Sequence, residues 1–144
     1  MLVGTMNKDL PSLKSKFPPL LHLTYVLQQS SDELLASEVG TSLSHARIMS
    51  GLSAVVTRSQ HQLALELRQT EANISRQLQV MKRAGLVNIA KNKKDGRQRD
   101  VKLSAKGARK YAKAEALLKK QQKHFQKILN SYEGQAITDF SKLL

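Results

Sequence analysis

Apolar residues early in the chain recur at the three- and four-residue intervals that are typical of one face of a helix. The pattern starts after Pro18 and Pro19, where the first turn of a helix tolerates proline. It stops near Gly40, a residue type that commonly ends helices. It therefore predicts one amphipathic helix between these points. The apolar positions are Leu20, Leu23, Leu27, Leu34 and Leu35.

A second, shorter helix is predicted within residues 43–55. Ser44 is the residue that we expect to cap its N-terminus, because a serine hydroxyl can accept a hydrogen bond from a free backbone N–H of the first turn. The β-branched residues within 55–57 predict a small strand directly afterwards. The apolar positions expected on the buried side of this helix are Ile48, Met49, Leu52 and Val55.

Residues 59–87 predict a short helix, a tight turn and a longer helix. Ser59 and Thr70 stand where they can cap the two helices, and Arg68 and Gln69 form the turn between them. A helix-turn-helix has this order and spacing of elements. The positions expected to be buried are Leu63, Ala64 and Leu67 in the short helix and Ile74, Leu78 and Met81 in the longer one.

The remaining face of the longer helix is polar. Its amide and guanidinium groups are the types that hydrogen-bond to the edges of adenine and guanine in a major groove. The pattern alone leaves a second interpretation open, because the same residues could form the solvated side of a surface helix. The polar positions are Glu71, Asn73, Arg76, Gln77, Gln79, Lys82 and Arg83.

The next segment predicts two β-strands joined by a hairpin, and a hairpin directly after a helix-turn-helix makes a winged helix. Asp95–Gly96 is typical of a tight turn that needs a positive φ. Asp95 either orients the guanidinium of Arg97 by a charge-assisted hydrogen bond or serves the turn alone, and both roles stay open. The alternating apolar positions are Val87, Ile89, Val101 and Leu103, and the cations at the tip are Lys93, Lys94, Arg97 and Arg99.

Positive charge is concentrated around this predicted hairpin. The chain of 144 residues has a formal net charge of +13, and residues 82–123 hold fifteen Lys and Arg against three acidic residues. A field of this kind favours a polyanionic partner. Nucleic acid fits better than an anionic membrane, because the segment lacks the large apolar face of a membrane-surface helix.

Composition narrows the class of protein further. The length predicts one domain, and 40% hydrophobic residues with few aromatics favour a mainly helical globular fold. The absence of cysteine excludes disulfides and thiolate metal sites. No apolar run approaches the ~18 residues of a membrane span. Residues 1–16 lack the apolar segment of a signal peptide. We therefore expect a cytoplasmic protein without a membrane partner.

Residues 59–107 resemble the winged helix of the MarR family of bacterial transcription regulators. The matching parts are LALELRQTEANISRQLQVMKRAGLV and the wing signature D-x-R-x-x-x-V-x-L-S-x-K-G, which runs from Asp95 to Gly107. One departure is Arg68, at a turn position that often holds glycine in such turns. The resemblance implies a mainly α fold with a small β-wing, in which a winged helix-turn-helix is joined to N- and C-terminal dimerisation helices. The implied division is a flexible arm at 1–16, dimerisation helices at 17–40 and 105–144, and a DNA-binding lobe at 41–104.

The resemblance also implies a homodimeric regulator, by default a repressor, that binds a pseudo-palindromic operator in double-stranded DNA. Two recognition helices would enter major grooves about 34 Å apart, and the wings would enter minor grooves. The implied contacts in the recognition helix are Thr70, Glu71, Asn73, Ser75, Arg76 and Gln77, and those in the wing are Lys93, Lys94, Asp95, Arg97 and Arg99. The alternative is a basic winged-helix module that binds RNA or DNA without sequence preference.

A small aromatic effector is implied as well, since members of the family often bind such acids between the dimerisation helices and the DNA-binding lobe. His22, Tyr25, His45 and Arg47 lie in segments that would line this crevice, and an ordinary surface or core role is the default for each. The four histidines are scattered without metal-ligand spacing, so we expect no metal site. The sequence has no phosphate-binding loop or paired carboxylates, so we expect neither a cofactor nor an enzymatic activity.

Overall fold

The computed structural model of the chain describes residues 18–131, so the arm expected at 1–16 and the short helix expected after Gly134 lie outside the described residues. The elements follow the order α1 (Pro19–Val39), α2 (Leu43–Ser50), β1 (Arg58–Ser59), α3 (Gln60–Glu66), α4 (Glu71–Arg83), β2 (Val87–Lys91), β3 (Arg99–Leu103) and α5 (Ala105–Ser131). This mainly helical fold with a small antiparallel sheet confirms the predicted fold class. Between residues 18 and 131, no helix combines the length and the apolar character that crossing a membrane requires.

The first helix has the bounds that its leucine pattern predicts. Pro18 precedes it, and Gly40 ends it with a φ of 67°, a left-handed conformation that glycine adopts without steric cost. The second half of α1 packs against α2 and α5, where Leu35 is fully buried. The first half leaves several large apolar side chains exposed on the described chain.

The second helix starts at a different serine from the one predicted. Ser42 is its N-cap, because the Ser42 hydroxyl accepts a hydrogen bond from the N–H of His45 at 3.0 Å, so the expectation of Ser44 was wrong. The next free N–H, that of Leu43, donates to the Asp32 carboxylate of α1 at 2.6 Å. This contact between two helices fixes where α2 begins.

The end of α2 also differs from its prediction. Ile48 and Met49 are fully buried as expected, but the helix stops before Gly51. Val55 therefore lies beyond the helix and is 88% exposed, so its predicted burial was wrong. The strand expected at 55–57 does not form there, and the two-residue strand β1 begins directly after it, at Arg58.

Three antiparallel strands form the sheet in the order β1–β3–β2. In the predicted hairpin, Val87 pairs with Leu103 and Ile89 pairs with Val101. Because alternate residues of a strand share one face, these four side chains point the same way, and they pack against the helices of the lobe. β1 adds to the free edge of β3 and so ties the start of α3 to the hairpin.

The main core joins α2, α3, α4 and the sheet. Ile74, Leu78 and Met81 of α4 have no exposed surface, as their helical spacing predicts. Full burial of one such side chain contributes about 1.5–3 kcal/mol relative to leaving it exposed, so α4 is held firmly in place. A smaller core around Leu35 and Ala114 joins the long helices to α2.

The start of α5 lies very close to the end of α4. The Ser104 hydroxyl accepts from the N–H of Gly107 at 2.9 Å and donates to the carbonyl of Gly85 at 2.5 Å. A Cβ atom at Gly107 would collide with the carbonyl oxygen of Leu86. The last glycine of the wing signature is therefore required by a close backbone approach.

Candidate nucleic-acid interface

The turn between α3 and α4 sets the position of the longer helix. Arg68 has a φ of 52°, in the left-handed region that residues other than glycine rarely adopt. The N–H of Gln69 then donates to the carbonyl of Ala64 at 3.0 Å. Thr70 caps α4 by accepting from the N–H of Asn73 at 3.2 Å. The predicted helix-turn-helix is present, with an arginine in the strained position of its turn.

The exposed side of α4 carries the residues expected to contact DNA. Thr70, Glu71 and Arg76 are exposed, and Asn73, Ser75 and Gln77 are half-buried, so all six keep some accessible surface. The last turn carries two further cations, Lys82 and Arg83, where the helix dipole favours positive charge.

The first acidic residue of α4 is paired with a neighbouring helix. Glu71 Oε1 lies 2.5 Å from Nδ1 of His61 in α3, and both side chains are exposed. A carboxylate is favourable at this helix N-terminus because the dipole is positive there. Glu71 therefore has a local structural partner at the point where α4 would approach DNA.

A network of side-chain hydrogen bonds runs across the first turns of α4. Gln69 Oε1 accepts from Asn73 Nδ2 at 2.7 Å and from Gln77 Nε2 at 3.0 Å. Gln77 Oε1 accepts from the hydroxyl of Ser44 in α2. Within the described residues, no group bonds the amide oxygen of Asn73. Asn73 therefore presents an acceptor towards solvent, whereas the amide of Gln77 is largely engaged inside the protein.

The wing has a longer loop than its sequence predicts. Residues 92–98 separate β2 from β3, and the loop closes where the N–H of Asn92 donates to the carbonyl of Gln98 at 3.0 Å. The Asn92 side chain accepts from the backbone N–H groups two and three residues ahead, at 2.8 and 3.0 Å. Gly96 does not take a positive φ. A tight turn is present at Asp95–Gly96, because the carbonyl of Asp95 accepts from the N–H of Gln98 at 3.0 Å, but the positive φ expected there was wrong. This turn lies inside a longer loop that begins at Asn92.

Asp95 serves the turn of the wing through the backbone. Its Oδ1 accepts from the N–H of Arg97 at 3.0 Å, and within the described residues no ion pair joins these two side chains. Of the two roles left open for Asp95, the structure therefore has the turn role, through the peptide N–H of Arg97. Arg97 is exposed at the tip, and the guanidinium of Arg99 donates to the carbonyl of Gly96 at 3.3 Å.

The face of the sheet that points away from the core forms a basic groove of about 530 Å³. Its single acidic side chain, Asp100, accepts from Asn92 Nδ2 at 2.9 Å. The cationic rim suits phosphate groups, because lysine binds them as a strongly hydrated point charge. The lining residues are Thr57, Asn88, Ala90, Lys91, Asn92, Lys93, Lys94, Asp100 and Lys102.

Two lysines of the basic segment donate to carbonyl groups at the ends of helices. Lys106 Nζ donates to the carbonyl of Ala84 at 2.8 Å, at the end of α4. Lys110 Nζ donates to the carbonyl of Gly40 at 3.1 Å, at the end of α1. Cations are stabilised at helix C-termini, where carbonyl groups lack helical partners. Both ammonium groups keep their positive charge, but these contacts fix their positions at the helix ends.

The residues expected to line an effector crevice lie at separate places on the described chain. His22 and Tyr25 line one groove along α1, of about 420 Å³. Arg47 lines another, of about 230 Å³, between α2 and α5. His45 is half-buried at the start of α2. Residues 18–131 of one chain do not bring all four together.

His45 titrates below its ordinary range. Burial lowers the pKa of His45, the nearby carboxylate of Asp32 opposes this shift, and the ammonium group of Lys110 adds to it. The neutral imidazole is therefore favoured at the junction of α1, α2 and α5.

Sequence reasoning found the polar face of α4 but missed two of the residues that hold it. Gln69 was assigned only to the turn, and Ser44 only to a helix cap. The Ser44 hydroxyl bonds a residue 33 positions away, so its role depends on the packing of α2 against α4. A run of amides at positions 69, 73 and 77, at helical spacing, was the available signal.

Comparison with known proteins agrees with this geometry. A sequence model of the MarR family matches residues 39–98, and no curated protein matches the chain. Solved structures with the same fold include MOSR of M. tuberculosis in complex with DNA (24% identity, TM-score 0.65), covering 74% of this chain and 76% of that chain. The transcriptional repressor CouR, bound to a 23-mer DNA duplex, is 18% identical with a TM-score of 0.74 and coverages of 86% and 88%. PcaV of Streptomyces coelicolor, in complex with its natural ligand, is 20% identical with a TM-score of 0.68 and coverages of 84% and 87%. Residues 39–98 therefore match the MarR family in sequence, and the described residues have the winged-helix fold of these solved transcriptional regulators.

Proposed function

We propose that the protein is a sequence-specific DNA-binding regulator of transcription that acts as a homodimer. The observation that carries this proposal is that the helix with the polar face, α4, and the strongly basic wing share one hydrophobic core. Amide and guanidinium groups suit base edges in a major groove, and exposed arginine suits a narrow minor groove. The two surfaces together match the two grooves of a duplex.

Within this proposal, the N-terminal half of α4 enters a major groove, because the first residues of a recognition helix reach the base edges. The half-exposed amide of Asn73 and the exposed guanidinium of Arg76 are the groups best placed to distinguish bases. The residues proposed for base or phosphate contacts are Thr70, Glu71, Asn73, Ser75, Arg76 and Gln77.

The wing completes each half of the interface. Arg97 extends from the tip into the adjacent minor groove, and Asp95 holds the peptide that carries it. Lys93, Lys94 and Arg99 contact phosphates on either side. Contacts of this kind set the register of the protein on the duplex, whereas base contacts set its sequence preference.

An apolar surface on α1 supports the homodimer. Side chains in its first half remain 36–57% exposed on the described chain, which is unusual for so many large apolar groups on one helix. A two-fold axis would let the same surface of two chains cover itself. The exposed residues are Leu20, Leu21, Leu23, Tyr25 and Val26.

Two proteins with this fold support the DNA partner, since MOSR was solved in complex with DNA and CouR, a repressor, was solved on a 23-mer duplex. A dimer bound over a promoter would exclude the polymerase, so repression is the action that we propose. We further propose that a small aromatic acid releases the protein from DNA. PcaV, which was solved in complex with its natural ligand, supports only the binding of an effector by a protein with this fold. In this chain Arg47 and Tyr111 line the same groove, where a guanidinium could pair with a carboxylate and a phenol could stack on a ring.

Competition separates this proposal from a module without sequence preference. A duplex selected from a random pool should stay bound in about a 1000-fold excess of random duplex, because specific sites bind 10³–10⁷-fold more tightly. Its affinity should also fall about 10³–10⁵-fold between 50 and 200 mM salt if the dimer makes ~6–10 phosphate contacts. Equal displacement by random DNA or by RNA would overturn sequence-specific binding in favour of the alternative.

A further inference from the structure

We propose that Gln69, which precedes α4 and lies outside the expected set of DNA contacts, determines base preference by fixing the amide of Asn73. The inference rests on the proposed function and deepens it. Gln69 is a positioning residue, because it acts through Asn73 and touches no base itself. The expected preference is for adenine over guanine at the position that Asn73 faces.

The side-chain oxygen of Gln69 holds two amide donors. Its Oε1 accepts from Asn73 Nδ2 at 2.7 Å, which uses one of the two N–H groups of that amide. The Asn73 oxygen and one N–H remain for a ligand. Adenine presents a donor at N6 and an acceptor at N7, so it complements this pair of groups.

A free asparagine amide would not discriminate in this way. Rotation about its χ2 angle is broad and roughly two-fold, so it can present either its oxygen or its NH₂ group to a base. Guanine offers two acceptors, O6 and N7, in the same groove, and a rotated amide could donate to them. The bond from Asn73 to Gln69 removes this second orientation.

Gln69 is itself held at a fixed place. Its N–H donates to the carbonyl of Ala64, and the left-handed Arg68 sets the direction in which the chain enters α4. Gln77 Nε2 gives the Gln69 oxygen a second donor at 3.0 Å, and the Ser44 hydroxyl bonds the other end of the Gln77 amide. The network therefore connects α2, the turn and α4 before any DNA binds.

Selection of bound duplexes from a random pool tests the inference with three forms of the full chain. The unchanged chain should enrich adenine at one position of each half-site. Gln69→Met replaces the amide oxygen by a thioether, which is only a weak acceptor, so the ratio of adenine to guanine there should fall by about 5-fold or more, the lower end of what one bidentate pair discriminates. Gln69→Glu can only accept, so it should keep the adenine preference while its charge lowers affinity for every sequence.

Two controls separate positioning from folding. Gln126→Met makes the same change at an exposed position of α5 and should leave the selected sequence unchanged. Ser44→Ala removes the bond to Gln77 but leaves Gln69 bonded to Asn73, so the adenine preference should persist. The salt dependence should be equal in the unchanged chain and Gln69→Met, because no charge is lost.

An unchanged adenine preference in Gln69→Met would overturn the inference while leaving the proposed function intact. Loss of the preference in Gln69→Glu would also overturn it, since a carboxylate can still accept from both amides. Failure of the unchanged chain to enrich any sequence would overturn the proposed function and this inference together.

Discussion

Replacing Arg97 by alanine should weaken DNA binding without weakening the fold. The side chain is exposed at the tip of the wing, and the contact with Asp95 uses the backbone N–H, which alanine keeps. Exposed substitutions of this kind usually change the free energy of unfolding by less than about 0.5 kcal/mol. A loss of affinity would therefore report on the interface with DNA.

The expected size of the loss follows from counter-ion release. A homodimer has two wing tips, and each neutralised phosphate contributes about 0.9 to the slope of log K against log salt concentration. Removing one cation from each chain should lower that slope by about 1.8. Over a fourfold rise in salt, the unchanged protein should then lose about 12-fold more affinity than Arg97→Ala does.

Fluorescence anisotropy with a labelled, selected duplex at several salt concentrations measures this difference. Lys127→Ala removes the same charge at an exposed position far along α5 and should leave the slope unchanged. Arg97→Lys should restore the slope but not the preference for A·T-rich flanks, because narrow minor grooves favour arginine. An unchanged slope in Arg97→Ala, or an equal fall in Lys127→Ala, would refute the placement of Arg97 in the minor groove.

Three further predictions concern Arg68 in the turn, Gly107 at the start of α5 and the half-buried His45. Arg68→Gly should remove a backbone strain of about 1 kcal/mol from the left-handed position. Glycine also raises the conformational entropy of the unfolded chain, which should destabilise the folded state by a similar amount. Chemical denaturation should therefore show little change in the free energy of unfolding. A fall in the slope of log K for DNA binding against log salt concentration would show that Arg68 contacts phosphate. Gly107→Ala should destabilise the protein by about 1–3 kcal/mol in the same assay, because its Cβ would collide with the Leu86 carbonyl; a stability equal to that of the unchanged protein would contradict the close approach. Since burial lowers the pKa of His45 in the folded protein, stability should be lost as pH falls below about 6.5, and His45→Gln should remove this component; an identical pH profile in the variant would contradict the assignment.

The recurrent features of the fold could be predicted because they depend on residues close together in sequence. Ile74, Leu78 and Met81 recur at helical spacing and are all buried. Thr70 caps α4 as predicted, since a cap needs only a suitable side chain three residues before an open N–H. The alternation of Val87 and its neighbours likewise predicts the face of the sheet that meets the core.

The ends of α2 and the wing loop could not be predicted from local pattern. Ser42 and Ser44 are equally good caps, and the choice follows from Asp32 of α1, which accepts from the N–H between them. In the wing, Asn92 competes with Asp95 as the residue that turns the chain, and its side chain accepts two backbone N–H groups. In both cases two residues suit the role equally well, and a sequence pattern does not indicate which of them makes the contact.

The candidate site was predicted at the level of elements, but its hydrogen bonds were not. The amides of α4 were visible in sequence, whereas the bond from Ser44 to Gln77 requires α2 to pack beside α4. Likewise, Lys106 and Lys110 count as free positive charge in the sequence but donate to carbonyl groups at the ends of two helices. Such pairings arise only when the whole chain has folded.

Footprinting of the bound duplex at single-nucleotide resolution tests the central claim most directly. If two copies of α4 and the wing clasp one side of a duplex, two protected major-groove segments should lie about 10–10.5 base pairs apart, with minor-groove protection at their outer ends. Protection without this spacing, or over one half-site only, would contradict the account.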